Sequence, residues 1–118
     1  TPQPAAQKVA QRAAFRAEKV NLTVRAVIEN MSWFRGDDGK RYEIFGSGGG
    51  EALAEELGVP LLGQIPLVPE LREGGDVGRP ITVADPTSET ATIFGEMARL
   101  LTEEYLPTRR YNEGLKLV

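Results

Sequence analysis

"EALAEELGVPLLGQIP", Glu51 to Pro66, changes its hydrophobic period halfway along. Ala52, Leu53 and Leu57 fall on one face of a helix, and Gly58 is a fitting C-terminal stop for it. "VPLLGQIP" then reads as a short strand buried in a sheet and closed by Pro66. A helix handed straight to a buried strand is the repeating unit of layered α/β folds.

Immediately upstream stands "WFRGDDGKRYEIFGSGGG", Trp33 to Gly50, which combines an acidic turn, basic residues and a glycine cluster. A phosphate loop needs glycines whose N–H groups face phosphate, then a lysine and a hydroxyl. Gly48-Gly49-Gly50 is followed by Glu51-Ala52, which supplies neither. The G-x-G-x-x-G pattern fails too, because Glu51 stands where its last glycine belongs. A loop-to-helix junction is the plain reading, and anion binding by exposed N–H groups is its alternative. Asp37-Asp38-Gly39 lacks the alternating oxygen ligands and closing glutamate of a calcium loop. It reads as a tight turn between two extended pieces, "SWF" and "YEIF".

Farther upstream, "TVRAVIEN" places Val24, Ala26, Val27 and Ile28 in a run that suits a strand buried on both sides. Before it, Ala6, Val9, Ala10, Ala13, Ala17 and Val20 follow helical spacing from Ala5 to Val20. Lys8, Arg12, Arg16 and Lys19 make the other face of that helix, read as solvated. Downstream, "LVPELREGGDVGRP" reads as a loop with room for one helical turn, and "ITVADP" as a third short strand. Asp85-Pro86 would cap a last helix whose stripe of Ile93, Phe94, Met97, Leu100 and Leu101 reads as core and fades near Leu106-Pro107. The order α-β-α-β-β-α predicts α/β layering with parallel strands. Three short strands make a thin sheet, so the chain is expected to be a piece of a larger domain.

The 118 residues contain no cysteine and no histidine. Thiolate chemistry, cluster ligation by the chain's own sulfur, imidazole-bound zinc and a Ser-His-Asp relay are therefore excluded. A formal charge of −3 gives no cationic field for nucleic acid or an anionic membrane. No apolar run approaches the roughly 20 residues of a membrane span. The expectation is a cytoplasmic chain without a nucleic-acid or membrane partner.

"VIENMSWF", followed by "GKRYEIFGSGGGEALAEELGVPLLGQIPLVPELREGGDVGRPITVADP", resembles the C-terminal part of the Mrp/ApbC family. The likeness runs from Thr1 to about Leu101 and rests on "ENMS", "IFG-x-GGG", "LAEELGVP-LLG-IPL" and "REGGD-G-P" in order. That family comprises P-loop ATPases related to MinD, regarded as iron–sulfur cluster carriers or assembly scaffolds. The resemblance implies a twisted, mostly parallel sheet flanked by helices, with residues 1–106 the C-terminal portion of the ATPase domain and 107–118 a tail. It implies ATP with Mg2+ in the parent protein, hydrolysis there, and no activity in this chain alone, because the phosphate loop lies upstream of these residues. It also implies a homodimer and an iron–sulfur acceptor or other partner protein.

Residue by residue, the resemblance puts Asn30, in "ENMS", against the adenine, and Pro66, Leu67, Val68 and Pro69 beside the base. Arg72, Glu73 and Asp76, in "REGGD", either position nucleotide or stabilise their loop. From the residues alone Asn30 reads as the end of a strand capping a turn, and 66–69 as a proline-stiffened turn. Many relatives carry a C-x-x-C pair just after the position of Phe34, held to bridge a cluster across a dimer. Here Arg35-Gly36-Asp37-Asp38-Gly39 stands instead, and four thiolates cannot be assembled from none. The rival reading is a non-catalytic interaction module descended from a MinD-like ATPase, with Trp33, Phe34 and Tyr42 as contact residues or as packing for the hairpin.

Overall fold

The structure, a computed structural model, describes residues 1–105. Helix α1 spans Pro4–Lys19, strand β1 Val27–Asn30, β2 Phe34–Arg35, β3 Arg41–Tyr42, helix α2 Gly49–Leu57, strand β4 Leu61–Ile65, and helices α3 Pro69–Asp76, α4 Ile81–Ala84 and α5 Glu89–Glu103. The tail from 107 lies outside the described residues. The α/β expectation holds in the form of a small parallel sheet with helices packed against it.

Strands β1 and β4 pair in parallel, joined by a crossover through α2, with Ile28 opposite Gly63 and Asn30 opposite Ile65. The register shifts between Val27 and Ile28. β2 and β3 form a separate antiparallel hairpin with Phe34 opposite Tyr42. Helix α5 lies on β4, where Leu62, Ile65 and Met97 form a core cluster backed by Ala26, Leu71, Ile93, Phe94, Leu100 and Tyr105. Gly63 lets α5 approach closely there, because a Cβ on it would push against the Met97 side chain.

Four expectations are corrected. "ITVADP" is no strand: Val83 and Ala84 donate to the Pro80 carbonyl and Asp85 to that of Ile81, closing the single turn α4. Only Ile81 of that turn is buried, and a β-branched run with no strand to pair with has nothing to hold it extended. The cap of α5 is Ser88, not Asp85: Ser88 Oγ accepts from Ala91 N–H at 3.1 Å and donates to the Asp85 carbonyl at 2.8 Å. The strand expected to be buried on both sides has Glu29 inside, 3% exposed, and Ile28 outside, 47% exposed. α3 is also longer than the single turn expected, eight residues with Pro69 at its start.

Helix α1 covers its expected span within a residue, yet among its residues only Ala14 is buried, while Val9 and Val20 are 65% exposed. Lys8, Arg12, Arg16 and Lys19 are solvated as expected. Replacing Gly63 by valine should lower stability by about 1–3 kcal/mol through overpacking at Met97. Urea unfolding measures this, and an unchanged midpoint would mean that α5 does not rest on β4 as described.

Candidate functional site

In α/β sheets ligands gather beyond the carboxyl ends of the strands, and both parallel strands end at one place here. Past Asn30 the chain turns through Met31, which adopts a left-handed φ of 58°, and the Asn30 Oδ1 accepts from the Met31 N–H at 2.8 Å. Past Ile65 it continues through buried Pro66 to half-buried Leu67 and Val68. Two backbone bonds clamp these ends together: Ser32 N–H donates to the Ile65 carbonyl at 2.9 Å, and Leu67 N–H to the Trp33 carbonyl at 2.7 Å. Asn30 and the 66–67 segment are thus brought to one edge.

The remaining site residues fall further out. Val68 is extended and Pro69 opens α3, where proline's missing N–H costs nothing. Arg72 projects from the exposed side of α3 and binds its own helix, with Asp76 at 2.7 Å and Glu73 at 3.2 Å. These contacts lie within α3 itself. Asn30 is exposed, and its amide NH2 makes no hydrogen bond to the described residues. It therefore caps a turn through its oxygen and leaves its donor open to solvent.

The glycine cluster also resolves. Helix α2 starts inside it, at Gly49, with Gly48 left-handed at φ 78°. Gly50 N–H donates to Glu29 Oε2 at 2.7 Å, while Ser32 Oγ and Gln64 Nε2 donate to Glu29 Oε1 at 2.7 and 3.1 Å. A Cβ at Gly50 would collide with that carboxylate, and one at Gly49 with the Pro2 carbonyl. The anion at this helix N-terminus is therefore the chain's own Glu29, and the junction reading stands. Sequence reasoning missed Glu29, although a lone acid in the run "AVIEN" before a glycine cluster was a signal.

The opening turn is a hairpin. Gly36 N–H donates to the Lys40 carbonyl at 2.9 Å, and Gly39 is left-handed at φ 76°. The Tyr42 hydroxyl and the Lys40 N–H both donate to Asp38, which holds its carboxyl below the usual range and pushes the Tyr42 hydroxyl up. Arg35 and Arg41 share the Glu89 carboxylate at 3.2 and 3.1 Å, tying the hairpin to the start of α5. Arg41 also stacks over Trp33, 4.0 Å from the ring centroid. Trp33 is buried packing, whereas Phe34 and Tyr42 are exposed.

The family described as "ParA: NUBPL iron-transfer P-loop NTPase" matches residues 1–102. The chain belongs to this family. An iron–sulfur cluster carrier protein of Synechocystis sp. is 43% identical over 101 residues, covering 84% of this chain and 29% of that protein. Those of Saccharolobus solfataricus and Aquifex aeolicus are 47% identical over 83 residues and 38% over 104, covering 70% and 87% of this chain and 28% and 29% of theirs. The Mrp/ApbC resemblance stands, and the chain spans under a third of the length of these relatives. For a member of an iron-transfer family it has an unsuitable donor set: no cysteine or histidine occurs in it, and the hairpin offers only Asp37 and Asp38.

Glu29→Ala should cost about 1–3 kcal/mol, since the buried Gly50 N–H loses its acceptor, while Ser32 Oγ keeps the Glu29 carbonyl and the exposed Gln64 can reach water. Glu89→Ala, whose arginine pairs are half exposed, should cost under about 1 kcal/mol. Urea unfolding of the two variants checks the contrast. Asp38 predicts a pH dependence. A carboxyl lowered on folding adds stability that is present above its ordinary value of 3.8 and lost as pH falls through the lower folded value. The Tyr42 ring resonances should titrate with a midpoint below 3.8, and Asp38→Asn should abolish that step.

Proposed function

We propose that this chain supplies the adenine-recognition side of the ATP site in a longer iron–sulfur cluster carrier ATPase. The observation that carries the reading is the convergence of Asn30 and Pro66-Leu67 at the carboxyl ends of two paired parallel strands. The free Asn30 amide donor can pair with a ring nitrogen of the base, and the Pro66-Leu67 segment offers backbone and apolar contact along its edge. Val68 and Pro69 extend that wall, and Arg72 would reach a nucleotide only by leaving Asp76.

Phosphate cradling, Mg2+ binding and hydrolysis fall to residues outside this chain, since no phosphate-loop lysine and hydroxyl follow its glycines. Alone, the chain would not hydrolyse ATP. The rest of the twisted, MinD-like domain would lie against the open edge of β1. There Ala10, Ala13, Ala17, Val27 and Ile28 line a groove of about 360 Å3, an apolar surface a finished sheet covers. Residues 1–106 would then belong to the ATPase domain and 107–118 to a tail, with nucleotide binding coupled to homodimer geometry and delivery to an acceptor protein.

A second reading rests on the hairpin. Phe34, Tyr42 and Ile44 are 36%, 47% and 59% exposed on the segment that replaces the relatives' C-x-x-C pair, a surface suited to a partner protein. The longer protein carrying Asn30→Ala should bind ATP about tenfold more weakly, a loss of one good hydrogen bond, and should lose about 1 kcal/mol of stability or less with the exposed turn bond to Met31. Calorimetric titration with ATP and Mg2+ measures it. Wild-type affinity in the variant overturns the assignment of Asn30, and no ATP binding by the unaltered protein overturns the ATPase reading in favour of the interaction module.

A further inference from the structure

Charge is unevenly divided along this chain. Residues 1–25 hold five of the 14 basic residues and one of the 17 acidic ones, a net of +4, while the remaining 93 residues hold nine and sixteen, a net of −7. Four of those five cations, Lys8, Arg12, Arg16 and Lys19, make one exposed row along α1. Their spacing of four, four and three residues keeps them in a single stripe about 16 Å long. None of the four forms an ion pair among the described residues, whereas Arg35, Arg41, Arg72 and Arg99 each form at least one.

Like charges one turn apart repel, and the first turn of α1 holds no acid to offset them. Arg16 and Lys19, in the last turn, are favoured by the helix dipole. Lys8 lies toward the positive end of the helix and Arg12 at its middle, where the dipole gives them no support. The stability of α1 therefore gives no reason for this half of the row.

We propose that the row is a docking face for an acidic helix of a partner protein, with carboxylates repeating once per turn. Its place on α1 keeps it free. The row lies roughly 120–200° around the helix from buried Ala14, whereas Ala10, Ala13 and Ala17, which line the groove beside β1, lie roughly 40–100° to the other side. Strands laid against β1 in the longer protein would cover the alanine flank and leave the cations in solvent. Two rows of opposite charge with the same one-turn spacing meet along their length, as the flanking charges of coiled coils do. Other polyanions fit less well. A membrane-surface helix buries its apolar side in lipid, and here that side faces the chain's own sheet. A nucleic acid carries phosphates well beyond the row, where the acid surplus of the other residues repels them.

The probe is a synthetic alanine-based helical peptide with glutamate at every fourth position, titrated into the longer protein at low salt. It should bind saturably, and more weakly as salt rises. Arg12→Gln with Arg16→Gln should weaken it about tenfold, and so should spreading the same glutamates round the peptide helix. Arg12→Glu with Arg16→Glu should lose that peptide and gain its counterpart carrying lysine, a gain that misfolding could not give. If the reversed variant does not fold, the neutral one decides. No binding of the glutamate-row peptide by the unaltered protein, equal binding of row and spread peptides, or unchanged affinity in the neutral variant overturns the proposal. Tighter binding of a DNA duplex or of phosphatidylserine vesicles, lost in the same variants, overturns it also and assigns the row to that polyanion.

Discussion

The Glu29 carboxylate joins three parts of the chain that are far apart in sequence. It accepts from Gly50 at the N-terminus of α2, from Ser32 in the turn after β1, and from Gln64 on β4. At 3% exposure it would be a severe penalty without partners, and the positive end of α2 together with three donors supplies them. The geometry follows from this. Gly49 and Gly50 must lack side chains so that α2 can approach, β1 and β4 are held in register at Glu29 and Gln64, and the turn through Met31 is pinned by Ser32.

That arrangement separates two faces of one short strand. Successive residues of β1 point to opposite sides, so Glu29 turns inward to α2 while Asn30 turns to solvent at the strand end. The interior carboxylate anchors the very segment that presents the exposed amide. Stability and recognition are thus assigned to neighbouring residues, and the clamp from Leu67 to Trp33 places the 66–67 segment beside that amide.

The hairpin is held by polar contacts made within it and to the start of α5. In the hairpin Asp38 holds Lys40 and Tyr42, and Glu89 holds Arg35 and Arg41. These contacts are exposed and individually weak, and one of their members, Arg41, stacks over Trp33, the buried aromatic beside the hairpin.

The layered α/β class, helices α1, α2 and α5, and the strand beginning near Leu61 were legible in the sequence, because periodicity and Gly58 are local signals. So were the turn at Asp37-Asp38-Gly39 and the failure of the glycine cluster as a phosphate loop. Asn30 and residues 66–69 were named through resemblance, and pattern alone did not distinguish them from ordinary turns. What only tertiary structure decided depended on partners distant along the chain. "ITVADP" became a helical turn because no strand lies beside it among the described residues, and Ser88 took the cap of α5 because Asp85 already ends α4. Ile28 faced outward and Glu29 inward because the glycines of α2 arrive on the Glu29 side. Local sequence determines which conformation each segment prefers, whereas burial and hydrogen bonding between segments determine which face, which cap and which charge is used.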